Sequence, residues 1–95
     1  MPKKDKPKKD NSEVTLDPAN TALIAGNTAT FVAREAEGAP TVTIAVNGVH
    51  NWTGVPSNSS NGARISKIIE TGHSELTVAF SEDGKEYASG TFTVE

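Results

Sequence analysis

The sequence predicts an all-β protein: a two-layer sandwich of about seven antiparallel strands on a Greek-key path, behind a disordered basic tail. Three observations carry this. Apolar side chains recur with period two in short runs, at about the 8–12-residue spacing of small sandwiches. The dipeptides Asn47-Gly48 and Asp83-Gly84 stand between such runs and suit two-residue hairpin turns, because both positions accept positive φ. No stretch carries the 3.6-residue apolar stripe of a helix.

Charge divides the chain in two. Residues 1–10 hold five lysines (Lys3, Lys4, Lys6, Lys8 and Lys9) against two aspartates, a net +3. Residues 11–95 hold four cations against ten carboxylates, a net −6. Beyond Met1 and two prolines, residues 1–12 have nothing apolar to bury, so they read as a disordered tail. Stretched in the extended form that proline favours, ten residues span roughly 30 Å. Residues 13–95 read as the sandwich, one domain with one modest core. Cysteine is absent, which excludes disulfides, thiolate metal sites and a cysteine nucleophile. No apolar run has the length of a signal sequence or a membrane span. With Met1 as the true start, the expectation is no export by the usual signal route and no membrane insertion.

The strands follow in order. Residues 13–17 place Val14 and Leu16 on one face. Asp17-Pro18-Ala19-Asn20 is a turn, and 21–25 a short continuation. Residues 28–34 alternate with Ala29, Phe31 and Ala33 on one side. In 41–46 the inward set is Val42, Ile44 and Val46, and a short strand around 49–52 follows the Asn47-Gly48 turn. Residues 54–62, GVPSNSSNG, read as a mobile polar loop. Residues 63–70 return to strand with unclear parity, since Lys67 shares a face with Ile65 and Ile69 while Ile68 points away. A bulge or an edge position accounts for that. Leu76, Val78 and Phe80 point inward from 74–81, and Phe92 and Val94 from 86–94. Tyr87 is out of phase with Phe92, which suggests a bulge at Gly90.

Two segments carry a family resemblance. VTLDPANTALIAGNTATFVA (14–33) resembles the opening strands of bacterial and phage immunoglobulin-like domains, with their V-T-L-x-P strand and G-x-T-x-x-F start of the second strand. ELTVAFSEDGKEYASGTFTV (75–94) resembles their closing hairpin. Leu76 stands where antibody-type domains carry a cysteine, Ser74 where they carry the corner tyrosine, and Ile44 at the central site of the third strand. The resemblance is therefore to the looser bacterial and phage type, and it spans residues 13–95.

Reactive chemistry is sparse. His50 and His73 lack metal-ligand spacing and an evident orienting partner, so they read as surface histidines. Ser57, Ser59 and Ser60 lack a nucleophile elbow. Glu82, Asp83 and Glu86 flank a hairpin without the order of a calcium loop. The sequons at Asn51 and Asn58 read as chance matches in a chain rich in Asn, Ser and Thr. Trp52 has two readings, a cap over one end of the sandwich or an exposed aromatic anchor for a partner. The lysine tail reads as a solubilising linker or as an anchor for an acidic surface. Its lack of arginine and aromatics argues against nucleic acid.

The candidate partner-binding residues are thus Lys3, Lys4, Lys6, Lys8, Lys9 and Trp52, with no catalytic residue, metal ligand or cofactor. The resemblance implies a non-enzymatic structural module, a phage virion decoration protein on capsid or tail. Its implied work is weak surface adhesion or particle stabilisation. Its implied partners are the capsid or tail protein surface, reached through the tail or a sandwich edge, and host-surface glycans. The alternative is a repeat from a bacterial surface adhesin or cell-wall protein.

Overall fold

The computed structural model describes residues 12–95. Every regular element in that span is a strand: β1 (Ser12–Glu13), β2 (Thr15–Leu16), β3 (Thr28–Ala33), β4 (Pro40–Val46), β5 (Val49–Gly54), β6 (Ser57–Ser59), β7 (Gly62–Ile68), β8 (Glu75–Glu82) and β9 (Lys85–Thr93). They form a five-stranded sheet ordered β1-β9-β8-β4-β5 and a four-stranded sheet ordered β2-β3-β7-β6. Hairpins join β4 to β5, β6 to β7 and β8 to β9, while the links between them cross from sheet to sheet. That is a Greek-key path through a two-layer β-sandwich. All pairings are antiparallel except β1 with β9.

The alternation sorts side chains as expected. Phe31 (0% exposed), Ile44 (2%) and Leu76 (2%) are buried between the layers. Phe92 is half-buried and packs its ring 5.3 Å from that of Phe31. Both hairpin turns are of the predicted kind, with φ of +53° at Asn47, +84° at Gly48, +52° at Asp83 and +83° at Gly84. This mirror-image geometry matches the right-handed twist of the flanking strands.

Five local expectations are corrected. The opening strand is split: Glu13 pairs with Ser89 in one sheet, Val14 donates to the Ser89 carbonyl, and Thr15 and Leu16 pair with β3 in the other. The chain thus stitches both layers at one side of the sandwich. Residues 21–24 form no strand, although the Leu23 carbonyl still accepts from Glu95 N–H.

The polar segment 54–62 is not a free loop, because β5 runs through Gly54 and β6 occupies its middle. Pro56 is buried. The Asn58 side chain accepts from Ala36 N–H (3.0 Å) and donates to Ala36 C=O (3.2 Å), standing in for a strand neighbour. In β7 the register to β3 is continuous, so no bulge is needed. Lys67 faces inward because its ammonium lies 4.4 Å from the centre of the Trp52 ring, with its stem against the rim of the core.

Finally, the bulge in β9 is at Tyr87. Phe80 pairs with Ala88 and Ser81 with Glu86, so Tyr87 is the extra residue and both Tyr87 and Ala88 are buried. Gly90 answers a different need: a Cβ there would stand 3.2 Å from the Val14 carbonyl and 3.2 Å from the Phe92 ring.

Candidate functional site

Two side-chain networks tie loops together, one at each end of the sandwich, while pairs such as Arg64 with Asp17 and Thr30 with Ser66 lie along the strands. At one end a cleft of about 450 Å³ is lined by Arg34, Glu37, Glu82, Asp83, Lys85, Glu86 and Tyr87. Arg34 leaves the end of β3. Glu82 and Tyr87 come from the two sides of the β8–β9 turn, and the Tyr87 bulge turns that ring inward. Arg34 Nη2 donates to Glu82 Oε1 at 2.5 Å, Nη1 donates to Glu35 C=O at 2.9 Å, and the guanidinium sits 4.3 Å from the centre of the Tyr87 ring. The Tyr87 hydroxyl donates back to the Arg34 carbonyl at 3.2 Å. The other Glu82 oxygen accepts from Glu37 N–H at 2.5 Å, and Asp83 Oδ1 accepts from Ala39 N–H at 3.3 Å. The connection 34–39 is thereby clamped to the β8–β9 hairpin.

The electrostatics follow from the geometry. Burial pushes the Glu82 carboxyl upward, but the Glu37 N–H, the hydrogen bond and charge of Arg34, and the Gly38 N–H together hold it below its ordinary value. Burial raises the Tyr87 phenol, the Glu82 charge adds to that, and Arg34 opposes it. At neutral pH the carboxylate is ionised and the phenol protonated, so neither is poised as a general base near pH 7. Arg34 Nε is buried without a hydrogen-bond partner, which marks the guanidinium as held by its forked end and by the ring.

At the opposite end Asn47 organises a second knot. Its Oδ1 accepts from Ser74 N–H (2.9 Å), Ser74 Oγ–H (2.8 Å) and Glu75 N–H (3.1 Å), and its Nδ2 donates to Gly72 C=O (3.2 Å). The Asn47 N–H donates to the Glu75 carbonyl at 2.8 Å. One asparagine thus fixes the β4–β5 turn against the β7–β8 connection.

The residues singled out from sequence are placed as follows. Trp52 is half-buried, lies over Gly54 and beside Lys67, and packs against the core. Lys3, Lys4, Lys6, Lys8 and Lys9 lie outside the described residues. His50 is exposed, with Nε2 2.7 Å from Thr53 Oγ1, and His73 Nδ1 accepts from Glu70 N–H at 3.4 Å. The Asn58 amide is committed to Ala36.

Among the described residues, no group of three or more His, Cys, Asp or Glu side chains is placed to hold a metal ion, and no helix is long and apolar enough to cross a membrane. Sequence reasoning missed both knots. Arg34 meets Glu82 and Tyr87 across 48 and 53 positions, a separation that local patterning does not register. The available signals were the scarcity of cations in the body and the phase slip at Tyr87. No family model, curated protein or solved structure matches the chain.

Proposed function

We propose that this chain is a non-enzymatic structural module that displays a rigid sandwich on a larger assembly. In the setting its sequence resemblance implies, that assembly is a phage capsid or tail. The observation that carries the reading is the use to which its polar side chains are put. The two main side-chain networks, around Asn47 and around Arg34–Glu82–Tyr87, brace one connection against another. Braced ends suit a scaffold that must hold its shape while its surfaces make contact.

Attachment falls to the cationic segment 1–10, whose net +3 opposes the −6 of the remainder. The test is cosedimentation of the chain, with and without residues 1–10, on particles that bear acidic surface proteins, across a salt series. Deletion is expected to weaken attachment and flatten its salt dependence while leaving the melting temperature unchanged. Attachment unaffected by the deletion would reject the anchoring role.

A further inference from the structure

Two of the four outer edges of the sandwich, β5 and β6, lie on the same side and are joined through Val55 and Pro56. Together with β4 they fall within residues 38–63, a stretch with no Asp, Glu, Lys or Arg in a chain that is 22% charged. The edges are unequal. β1 and β2 have two residues each and β6 has three, whereas β5 has six. No strand of the described residues faces the outer side of β5, so that side carries a row of backbone N–H and C=O groups open to pairing.

Sheet proteins ordinarily guard such an edge with lysine, with proline or with a bulge, and β5 has neither lysine nor proline. Here the strand reads Val-His-Asn-Trp-Thr-Gly, and its one irregularity is a register shift that leaves Asn51 without a partner on β4. Exposed apolar side chains stand at both ends of this strand, Val49 (69% exposed) and Val55 (75% exposed). The turn that begins the strand is locked by Asn47, so the edge is presented in a fixed shape and little ordering is left for a partner to impose.

We infer that β5 is a self-association edge, pairing antiparallel with β5 of a second copy about a two-fold axis. Charge decides for a second copy. Residues 11–95 carry −6, so two bodies repel through most approaches, and the neutral 38–63 side is the one on which they meet without opposed charge. Lys67, whose ammonium is held over the Trp52 ring, belongs to β7 of the facing sheet, and β5 itself offers a strongly charged partner no charge to complement. Isologous pairing sets each residue of β5 against a residue of the same uncharged strand, and joins two five-stranded sheets into one continuous sheet. One six-residue strand contributes a small interface, so the association is weak and concentration-dependent.

The experiment is sedimentation equilibrium on the full chain from about 10 µM to about 1 mM, a range suited to weak pairing. The expected mass climbs from 9.9 kDa toward twice that value. Thr53→Lys and Asn51→Lys, both at exposed positions of β5, are expected to weaken the association at least tenfold at low salt without shifting the melting temperature. Thr93→Lys, on β9, is expected to leave it unchanged. A chain that stays monomeric to about 1 mM overturns the inference. So does association that Thr53→Lys leaves intact. A monomer whose β5 amide resonances shift on addition of a short uncharged strand peptide also overturns the second copy, in favour of a foreign strand.

Discussion

Replacing Asn47 by alanine tests how much of this small sandwich is held by one side chain. The change removes three hydrogen bonds accepted by Oδ1 and one donated by Nδ2. It also places a Cβ-bearing residue with no polar side chain at φ +53°, a region asparagine tolerates better than alanine. A net hydrogen bond contributes about 1 kcal/mol, and at this exposed site water replaces part of each, so about 0.5 kcal/mol apiece is the fitting figure. The four bonds then sum to about 2 kcal/mol, and the backbone adds about 0.5–1 kcal/mol. The expected loss is about 2.5–3 kcal/mol, or roughly 10–20 °C in melting temperature for a domain this size.

Asn47→Gly separates the contributions. Glycine accepts the backbone angle but restores no hydrogen bond, so it is expected between wild type and Asn47→Ala. The assay is urea unfolding followed by the fluorescence of Trp52, the only tryptophan. An Asn47→Ala protein within about 0.5 kcal/mol of wild type, or an Asn47→Gly protein as stable as wild type, would refute the argument that the side chain anchors the β7–β8 connection.

Two further outcomes probe the other braces. A carboxyl held below its ordinary value stabilises the fold above the unfolded value and loses that contribution as pH falls through the folded one. Wild type should therefore lose stability below about pH 4.3 more steeply than Glu82→Gln in matched acid melts, while at pH 7 the variant is weaker by about 1–3 kcal/mol because Arg34 loses its counter-charge. Parallel acid limbs for the two proteins would remove Glu82 as the group responsible. Gly54→Ala sets a methyl into the Trp52 indole and should cost about 1–3 kcal/mol, with a shift in the Trp52 emission maximum as the ring is displaced from its seat beside Lys67. Unchanged emission and stability would mean that the ring does not depend on that glycine.

Much of the frame was legible from local pattern. Val42 and Ile44 on β4, and Leu76, Val78 and Phe80 on β8, alternate cleanly because a strand buried on one face admits no other spacing. The two Asx-Gly turns were legible for an equally local reason, the cost of positive φ to other residues. What escaped notice depended on partners distant in sequence. Segment 54–62 looked like a loop because Ser, Asn and Gly have low strand propensity, yet Asn58 borrows the Ala36 backbone and Pro56 enters the interior. Lys67 looked misplaced on an inward face until Trp52 supplied a ring for its ammonium. The Arg34–Glu82–Tyr87 clamp left in the sequence a scarcity of cations and a phase slip, and the slip pointed to Gly90 instead of Tyr87.

By itself the amino-acid sequence determined that this chain folds as layered strands around an aliphatic interior, and that its charge is split between a cationic start and an acidic remainder. Periodicity and net charge are properties of neighbours along the chain, so they need no folded partner to be read. The tertiary structure alone decided which polar side chains became braces, which strand was left open at the edge, and where the sheets bulge. Those outcomes rest on distances between residues tens of positions apart, which exist only once the two sheets have closed on each other.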